Sequence, residues 1–359
     1  MGPAEYPSAL RGRPNRRRED RGAMGVDLGD LLERENIEIK DLSGRWIAVD
    51  AFNTLYQFLS IIRQQDGTPL RDGSGRTTSH LSGILYRMTN LLEAGAKVAF
   101  VFDGDPPHFK RQILDERAET RSRAEEMWER AKEEGLPAFK YAQASSRLGD
   151  EMIADSKRLL DAMGIPVVQA PSEGEAQAAF MAIRGEVDLV GSQDYDALLF
   201  GAPTVVRNMA VTGKRKLPGK NVYVDVMPEV ISLDKELSRL GIERRQLVEI
   251  GIMCGTDYNE GLKRVGPKTA LKLIREHGDL EGVLKARGET IESAAEIRGL
   301  FLDPPVTDDY VIETKKPDAE KILRFLCDER DFSPERVEKA IRRLQEAVKV
   351  GQSTLDKWF

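Results

Sequence analysis

Residues Gln169–Phe200 read QAPSEGEAQAAFMAIRGEVDLVGSQDYDALLF and contain two pairs of acids with the same spacing. Glu173 and Glu175 open an alanine-rich run that predicts a helix, whereas Asp194 and Asp196 follow an apolar run that predicts a buried strand. Four carboxylates held close together repel one another and stay ionised at low cost only with a cation among them. Because every one of these groups is an oxygen ligand, the stretch indicates Mg²⁺ or Mn²⁺.

The same stretch also has an interpretation without a metal. Ser172 is a good helix N-cap, and Glu175 three residues later completes the pattern of a capping box. Acids in a first helical turn are favoured by the helix dipole, and Asp194 and Asp196 could be ordinary loop acids. The choice between the two interpretations depends on how many other acids follow strands.

Three apolar runs of the sequence lead into an aspartate, and these acids are Asp50, Asp103 and Asp194. Helical patterns such as His80–Glu93 separate the runs. Strand–helix alternation predicts an α/β fold with a mostly parallel, twisted sheet flanked by helices. Since parallel strands end at one edge of a sheet, we expect the three aspartates to converge there with Glu173 and the other acids of its stretch.

Composition limits the class of protein. The 359 residues are 40% hydrophobic, which supports a substantial core, and the net charge is −6. Two distant cysteines and three histidines argue for a reducing, intracellular location and against disulfides or a zinc site. The sequence has no apolar run approaching ~20 residues and no apolar signal core, so we expect no membrane span.

The sequence contains two basic blocks without acids, residues 207–220 and 261–275, although the net charge of the whole chain is negative. Beside a group of carboxylates they indicate a polyanionic substrate handled through bound cations, although two solvated basic surfaces are the alternative. In the second block Gly266 permits a tight turn between two helices and Pro267 suits the first turn of the following helix. Backbone amides at that helix start would grip phosphates without reading bases, and Asp257 just upstream could be a seventh carboxylate.

The chain divides into a low-complexity start, a long folded part and a tail. Residues 1–23 are rich in Arg, Pro and Gly and are predicted to be disordered, with the fold beginning at Met24 as a second possible start. The predicted divisions are a folded domain 24–345 (24–103, a helical insertion 104–147 that we call the arch, 148–240, a helix-hairpin-helix region 241–290, C-terminal helices 291–345) and a tail 346–359. In the tail, apolar groups spaced to share one turn predict a partner-binding motif formed by Gln352, Leu355, Trp358 and Phe359. The alternative is that this tail docks on the protein's own core.

An ordered series of motifs from residue 24 to the end resembles the flap endonucleases, which have a PIN/5′-nuclease-like fold. The series comprises Val49-Asp50-Ala51, Tyr56-Gln57-Phe58-Leu59, Thr77-Thr78-Ser79-His80-Leu81, Val101-Phe102-Asp103-Gly104, Ala170-Pro171-Ser172-Glu173-Gly174-Glu175-Ala176 and Gly255-Thr256-Asp257-Tyr258. The absence of the long basic tail of eukaryotic members makes the chain similar to the archaeal type. Eukaryotic members carry a lysine at the position of Asp105, so we assign that residue no role.

The resemblance implies a metal site and a DNA site. Two Mg²⁺ or Mn²⁺ ions would be held by Asp50, Asp103, Glu173, Glu175, Asp194, Asp196 and Asp257. Lys110 and Arg117, at the base of the arch, would contact the scissile phosphate, and Tyr56 would stack on the displaced nucleotide. Duplex backbone would be bound beside a monovalent cation by the hairpin residues Lys263, Gly266, Lys268 and Thr269, with Gly25 close to the DNA.

The implied activity is cleavage of branched DNA with a 5′ flap, together with 5′–3′ exonuclease activity, in replication and repair. The implied partner is a sliding clamp bound through the tail, and the chain would act as a monomer. One alternative is a sister 5′ nuclease, either an exonuclease or a nuclease of bubbles or junctions. The other is a non-catalytic clamp-binding DNA adaptor, which has no need for seven carboxylates.

Overall fold

A computed structural model describes residues 25–64, 66–107, 148–210, 213–216 and 223–355, with the backbone alone for 213–216, 223–225 and 349–355. In this part of the chain seven strands form one sheet and two form a separate antiparallel hairpin. The strands are β1 Glu35–Asn36, β2 Trp46–Asp50, β3 Lys97–Phe102, β4 Val167–Gln169, β5 Leu189–Gly191, β6 Thr204–Arg207, β7 Gly213–Lys216, β8 Tyr223–Val226 and β9 Glu229–Ser232.

The large sheet has the order β1-β9-β6-β5-β2-β3-β4, and its five strands from β6 to β4 are parallel. At one side of the sheet, β9 pairs antiparallel with β6, and β1 pairs antiparallel with β9. The chain leaves β2 toward β3 and β4 and then crosses to β5 and β6 on the other side. The boundary between β2 and β5 is therefore a topological switch point, where open α/β sheets bind ligands. The predicted mostly parallel sheet is confirmed.

Helices connect the strands and continue beyond the sheet. They are α1 Ala51–Ile61, α2 Ser79–Gly83, α3 Thr89–Glu93, α4 Asp150–Ala162, α5 Gly174–Ile183, α6 Asp196–Leu199, α7 Leu233–Leu240, α8 Arg244–Cys254, α9 Pro267–His277, α10 Leu280–Arg287, α11 Ala294–Leu302, α12 Ala319–Leu323 and α13 Pro334–Leu355. A π-helical turn, Ile84–Met88, joins α2 to α3, so the predicted helix His80–Glu93 is continuous but locally widened. Helix α13 crosses the predicted start of the tail at residue 346 without a break.

Both faces of the sheet are buried, as parallel strands require. On β2, Ile47 and Val49 enter one apolar cluster and Ala48 enters the other. Helix α1 packs against β2 and β3 on the first side, whereas α5 packs against β2, β3 and β5. This two-sided packing fixes the strand register, and with it the height at which each strand ends. Among the described residues no helix is long and apolar enough to cross a membrane.

Candidate metal centre and nucleic-acid interface

The first two acids lie at the carboxyl ends of neighbouring parallel strands. Asp50 is the last residue of β2 and the N-cap of α1, where its Oδ1 accepts a hydrogen bond from the amide of Asn53 at 3.0 Å. Asp103 follows β3, and its Oδ1 accepts from the amide of Gly174 at 2.7 Å. The second bond crosses from the sheet to the start of α5, so it ties Asp103 to the helix that carries the glutamates.

The start of α5 differs from the capping box expected from the sequence. Glu173, not Ser172, occupies the N-cap position, and no side chain of the cap accepts a hydrogen bond from the helix. The Asp103 carboxylate supplies an acceptor for the first-turn amide of Gly174 instead, so a distant acid replaces the local cap. Glu175 accepts a hydrogen bond at 2.6 Å from the hydroxyl of Ser192, on the loop after β5. The capping-box interpretation of Glu175 is therefore wrong.

The loop after β5 carries the second acid pair. The Asn53 amide donates to Oδ2 of Asp194 at 2.6 Å, and Ser192 Oγ accepts from the backbone amide of Asp194 at 3.2 Å. Asp196 opens α6, is 4% exposed, and accepts at 2.8 Å from the amide of Val26. The bonds from Asn53 and Val26 join distant segments, so neither aspartate behaves as an ordinary loop acid.

Asp257 comes from the connection between α8 and α9 and lies in the same region. Its Oδ1 accepts a hydrogen bond at 2.7 Å from the amide of Gly25, which has a left-handed φ of +79°. A Cβ on Gly25 would come within 2.8 Å of the Cβ of Asp194, so only glycine fits between these two acids. Gly25, predicted to lie close to the DNA, thus adjoins the acids themselves.

We call these seven acids the acid edge: Asp50, Asp103, Glu173, Glu175, Asp194, Asp196 and Asp257. Asp103 is linked to the start of α5 by the hydrogen bond that it accepts from Gly174, and electrostatic interactions connect the other six acids. Burial raises the pKa of Glu175 well above its usual range, and repulsion from Asp50, Asp196 and Asp194 adds to it. Burial likewise raises the pKa of Asp194, with Asp196, Asp257 and Asp50 as its repelling neighbours and Arg207 opposing them.

A buried tyrosine responds to the same charge. Burial raises the pKa of Tyr258 well above its usual range, and repulsion from Glu173, Asp196, Asp257 and Glu175 raises it further. The negative charge is thus concentrated in one buried region and exceeds the opposing positive charge, as a site for cations requires.

The donor set of the acid edge fits a hard divalent cation, because all seven groups are carboxylates. No three His, Cys, Asp or Glu side chains of the described residues stand together tightly enough to enclose an ion by themselves. Mg²⁺ usually retains several waters and binds through one or two carboxylates plus substrate phosphates rather than in a closed protein cage, so it does not require such a trio.

The helical hairpin formed by α8, residues 255–266 and α9 exposes the predicted DNA-binding side chains. Lys263, Lys268 and Thr269 are exposed, and Pro267 occupies the first turn of α9 as expected. Gly266 is the N-cap, and no side chain caps the helix there.

The tight turn is not at Gly266, whose φ is −108°. The left-handed positions between α8 and α9 are Gly255, with φ +92°, Gly261, with φ +75°, and Arg264, with φ +61°. A Cβ at Gly261 would lie 2.4 Å from the backbone nitrogen of Gly255, so the chain doubles back there. The expectation of a tight turn at Gly266 is corrected, because the close backbone approach occurs five residues earlier.

The remaining predicted residues divide into two groups. Tyr56 is half-buried on α1, less than two turns after Asp50. Lys110, Arg117, Trp358 and Phe359 lie outside the described residues, and Gln352 and Leu355 are described only as backbone in α13. Asn53 and Ser192 contact the acids but were not predicted from the sequence. The sequence pattern around them is weak, although Asn53 lies only three residues after Asp50.

Two protein-family models match the parts of the chain that carry the acid edge. The model of the XPG N-terminal domain matches residues 24–124, and that of the XPG I-region matches residues 164–257. All seven residues of the acid edge fall inside these two ranges.

Full-length relatives and solved structures agree with these matches. Flap endonuclease 1 of Methanothrix thermoacetophila is 64% identical over 94% of this chain and 100% of its own length, and that of Archaeoglobus fulgidus is 59% identical over the same shares. The structure of flap endonuclease-1 from Methanococcus jannaschii superposes with a TM-score of 0.74 at 42% identity, covering 90% of this chain and 99% of that one.

A more distant structure shares the fold. The catalytic core of Rad2 in complex with DNA substrate has a TM-score of 0.66 at 23% identity, covering 87% of this chain and 96% of its own. The acid edge, the parallel sheet that carries it and the identity to full-length relatives lead to one conclusion: the chain belongs to the flap endonuclease family and is a nuclease.

Proposed function

We propose that this protein is a structure-specific 5′ flap endonuclease, with 5′–3′ exonuclease activity, that hydrolyses phosphodiesters of branched DNA in replication and repair. We place it in the cytoplasm or nucleoid of a prokaryotic, archaeal-type cell. The observation that carries the proposal is the acid edge, whose members come from distant segments between Asp50 and Asp257 and meet at the switch point of the sheet. The exposed lysines of the helical hairpin follow directly after Asp257 in the chain.

The acid edge would hold two divalent ions, Mg²⁺ or Mn²⁺. Bound there, they would supply Lewis-acid stabilisation of the phosphodiester and a water of lowered pKa. The protein's own part is orientation: backbone amides of Gly25, Val26 and Gly174 and the hydroxyl of Ser192 each fix one carboxylate oxygen. No protein nucleophile is required in this scheme.

The helical hairpin would grip duplex DNA by its backbone. Amides at the start of α9, next to Gly266, face outward from a helix end without a side-chain cap, and such ends attract phosphates. Lys263 and Lys268 add positive charge, and Thr269 adds a hydroxyl. A monovalent cation bound at the hairpin would complete this contact, which carries no base sequence information.

Other predicted residues would act on the displaced strand. Tyr56 would stack on the displaced nucleotide, as aromatic side chains do with single strands. Lys110 and Arg117, in the insertion 104–147, would neutralise charge that grows on the scissile phosphate. Gly25 would lie beside the same phosphate. The domain divisions given above are part of this proposal.

The proposal is tested by cleavage of three labelled substrates, a 5′ flap, a nicked duplex and a bubble, with Mg²⁺ and with excess chelator. We expect Mg²⁺-dependent cutting that is strongest on the flap. Preference for the bubble would favour a sister nuclease of the family. Binding of all three without cutting would overturn the enzymatic proposal in favour of a DNA adaptor.

We further propose that the tail binds a sliding clamp and that the protein acts as a monomer. Gln352, Leu355 and Trp358 are three residues apart and Phe359 follows Trp358, a spacing that would bring the apolar side chains to one side of the tail. Deletion of 352–359 should leave cutting without clamp unchanged and abolish stimulation by the clamp. Stimulation of the truncated protein to the full-length level would contradict this assignment.

A further inference from the structure

Asn53 is a buried polar residue that lies between two acids of neighbouring strands. It is the third residue of α1 and is 7% exposed. Its backbone amide donates to Oδ1 of Asp50 at 3.0 Å, and its side-chain Nδ2 donates to Oδ2 of Asp194 at 2.6 Å. One residue therefore contacts acids from both β2 and the loop after β5, at the switch point of the sheet.

The orientation of the Asn53 side chain is fixed by its second contact. The backbone amide of Gln193 donates to Oδ1 of Asn53 at 3.1 Å, and a backbone N–H can only donate. The side-chain NH₂ must then face Asp194, whose ionised carboxylate can only accept. Asparagine satisfies both partners at once, whereas leucine satisfies neither and aspartate would bring a second negative charge against Asp194.

The Asp194 carboxylate needs such a donor. Its neighbours Asp196, Asp257 and Asp50 repel it, which favours a rotation of the carboxylate away from the other acids. A short hydrogen bond from a neutral amide stabilises the ionised carboxylate and restricts its rotation without using up positive charge. Oδ2 of Asp194 is engaged in this bond, so the direction in which the rest of the carboxylate points is set.

We propose that Asn53 is a positioning residue, which holds the Asp194 carboxylate in the orientation that binds a divalent ion and couples it to Asp50. This inference rests on the proposed function of the acid edge. Partners that orient metal ligands in this way affect metal affinity by about 10–100-fold when removed. Asn53 would therefore act on metal binding through Asp194, and on DNA binding not at all.

The test measures Mg²⁺ binding without DNA, as the Mg²⁺ concentration that gives half of the metal-induced rise in melting temperature. For Asn53→Leu, which keeps the branched shape and number of heavy atoms but has no polar group, we expect this concentration to rise by about 10–100-fold. Flap cleavage should fall most at low Mg²⁺ and recover in part at high Mg²⁺, with the KM for flap DNA unchanged. Thr54→Val, at the next buried position of α1, is the matched control and should keep the wild-type half-point.

A double-mutant cycle with Asp194→Asn separates positioning from a merely structural role. If Asn53 acts through Asp194, Asn53→Leu should cause no further loss of Mg²⁺ binding in the Asp194→Asn background. An equal loss in both backgrounds, or a wild-type half-point for Asn53→Leu, overturns the inference. If the leucine variant does not fold, Asn53→Ser, which is too short to reach Asp194, replaces it under the same criteria. A wild-type protein without any Mg²⁺-induced shift would instead overturn the metal assignment itself.

Discussion

The acid edge is negatively charged and the helical hairpin presents positive charge, and the two regions are built in different ways. The acid edge collects side chains from residues 50 to 257, and most of them are held by a partner distant in sequence, as Asp257 is by Gly25. The hairpin is one contiguous stretch whose lysines are exposed around a single helix start. The first depends on the tertiary fold and the second on local backbone geometry. We therefore expect substitutions in the acid edge to abolish cleavage, and substitutions in the hairpin to weaken DNA binding gradually.

The largest expected effect comes from removing one acid. Asp194→Ala should lower the cleavage rate by about 10²–10³-fold or more, because a charge-stabilising group of the reaction is lost. Binding of flap DNA should persist, because the hairpin is unchanged. Single-turnover cleavage and a binding titration in Ca²⁺ would measure the two properties. Cleavage near the wild-type rate would contradict the role of the acid edge.

A smaller effect is expected from the hairpin. Lys263→Ala with Lys268→Ala should weaken flap binding roughly tenfold and reduce the slope of log affinity against log salt by about 2, since two phosphate contacts disappear. The single-turnover rate at saturating DNA should stay unchanged. Lys40→Ala is the control, since Lys40 is exposed just before β2, at the opposite edge of the sheet. A slope equal to that of the wild type would show that these lysines do not contact phosphates.

A third effect concerns stability in mild acid and involves neither region. His80 is fully buried, neither ring nitrogen has a hydrogen-bond partner among the described residues, and burial together with Arg330 lowers its pKa to about 4. Between about pH 6.5 and 4 the unfolded chain binds a proton that the folded chain excludes, so the free energy of unfolding decreases as the pH falls through this window. The loss should approach about 3 kcal/mol at the lower end.

Urea unfolding at several pH values would measure this loss, with His80→Leu as the comparison. The acid-edge carboxylates titrate in both proteins, so the difference between the two isolates the histidine. We expect the leucine variant to lose less stability as the pH falls. Parallel stability profiles for the two proteins would exclude His80 as the cause.

The acid edge was largely predictable because its strands are short apolar runs that lead toward an acid. β2 and β3 were clear for that reason, and parallel pairing then placed Asp50, Asp103 and Asp194 together. β1 was not predictable, since it consists of two exposed polar residues whose strand conformation depends on pairing with β9. Local pattern cannot identify a strand that is stabilised only by its neighbour.

Predictions of site details from the local sequence were wrong where a group distant in sequence takes the place of a local one. Ser172 and Glu175 match a capping box, yet Asp103 reaches the helix start from another strand. The role of Asn53 could not be recognised from the local sequence, because its two partners on the loop after β5 are about 140 residues away. In the hairpin, the sequence predicted a tight turn at Gly266, but the left-handed backbone lies at Gly255, Gly261 and Arg264.

The order in which the acids appear along the chain affects how the protein is made in the cell. Asp257 is the last of the seven, and its oxygen is held by Gly25 near the beginning of the fold. A nascent chain still on the ribosome lacks the full set until residue 257 has left the exit tunnel and docked against the first strands. Prematurely terminated translation products would thus carry no complete cutting centre, and the cell's nucleic acids would be safe from them.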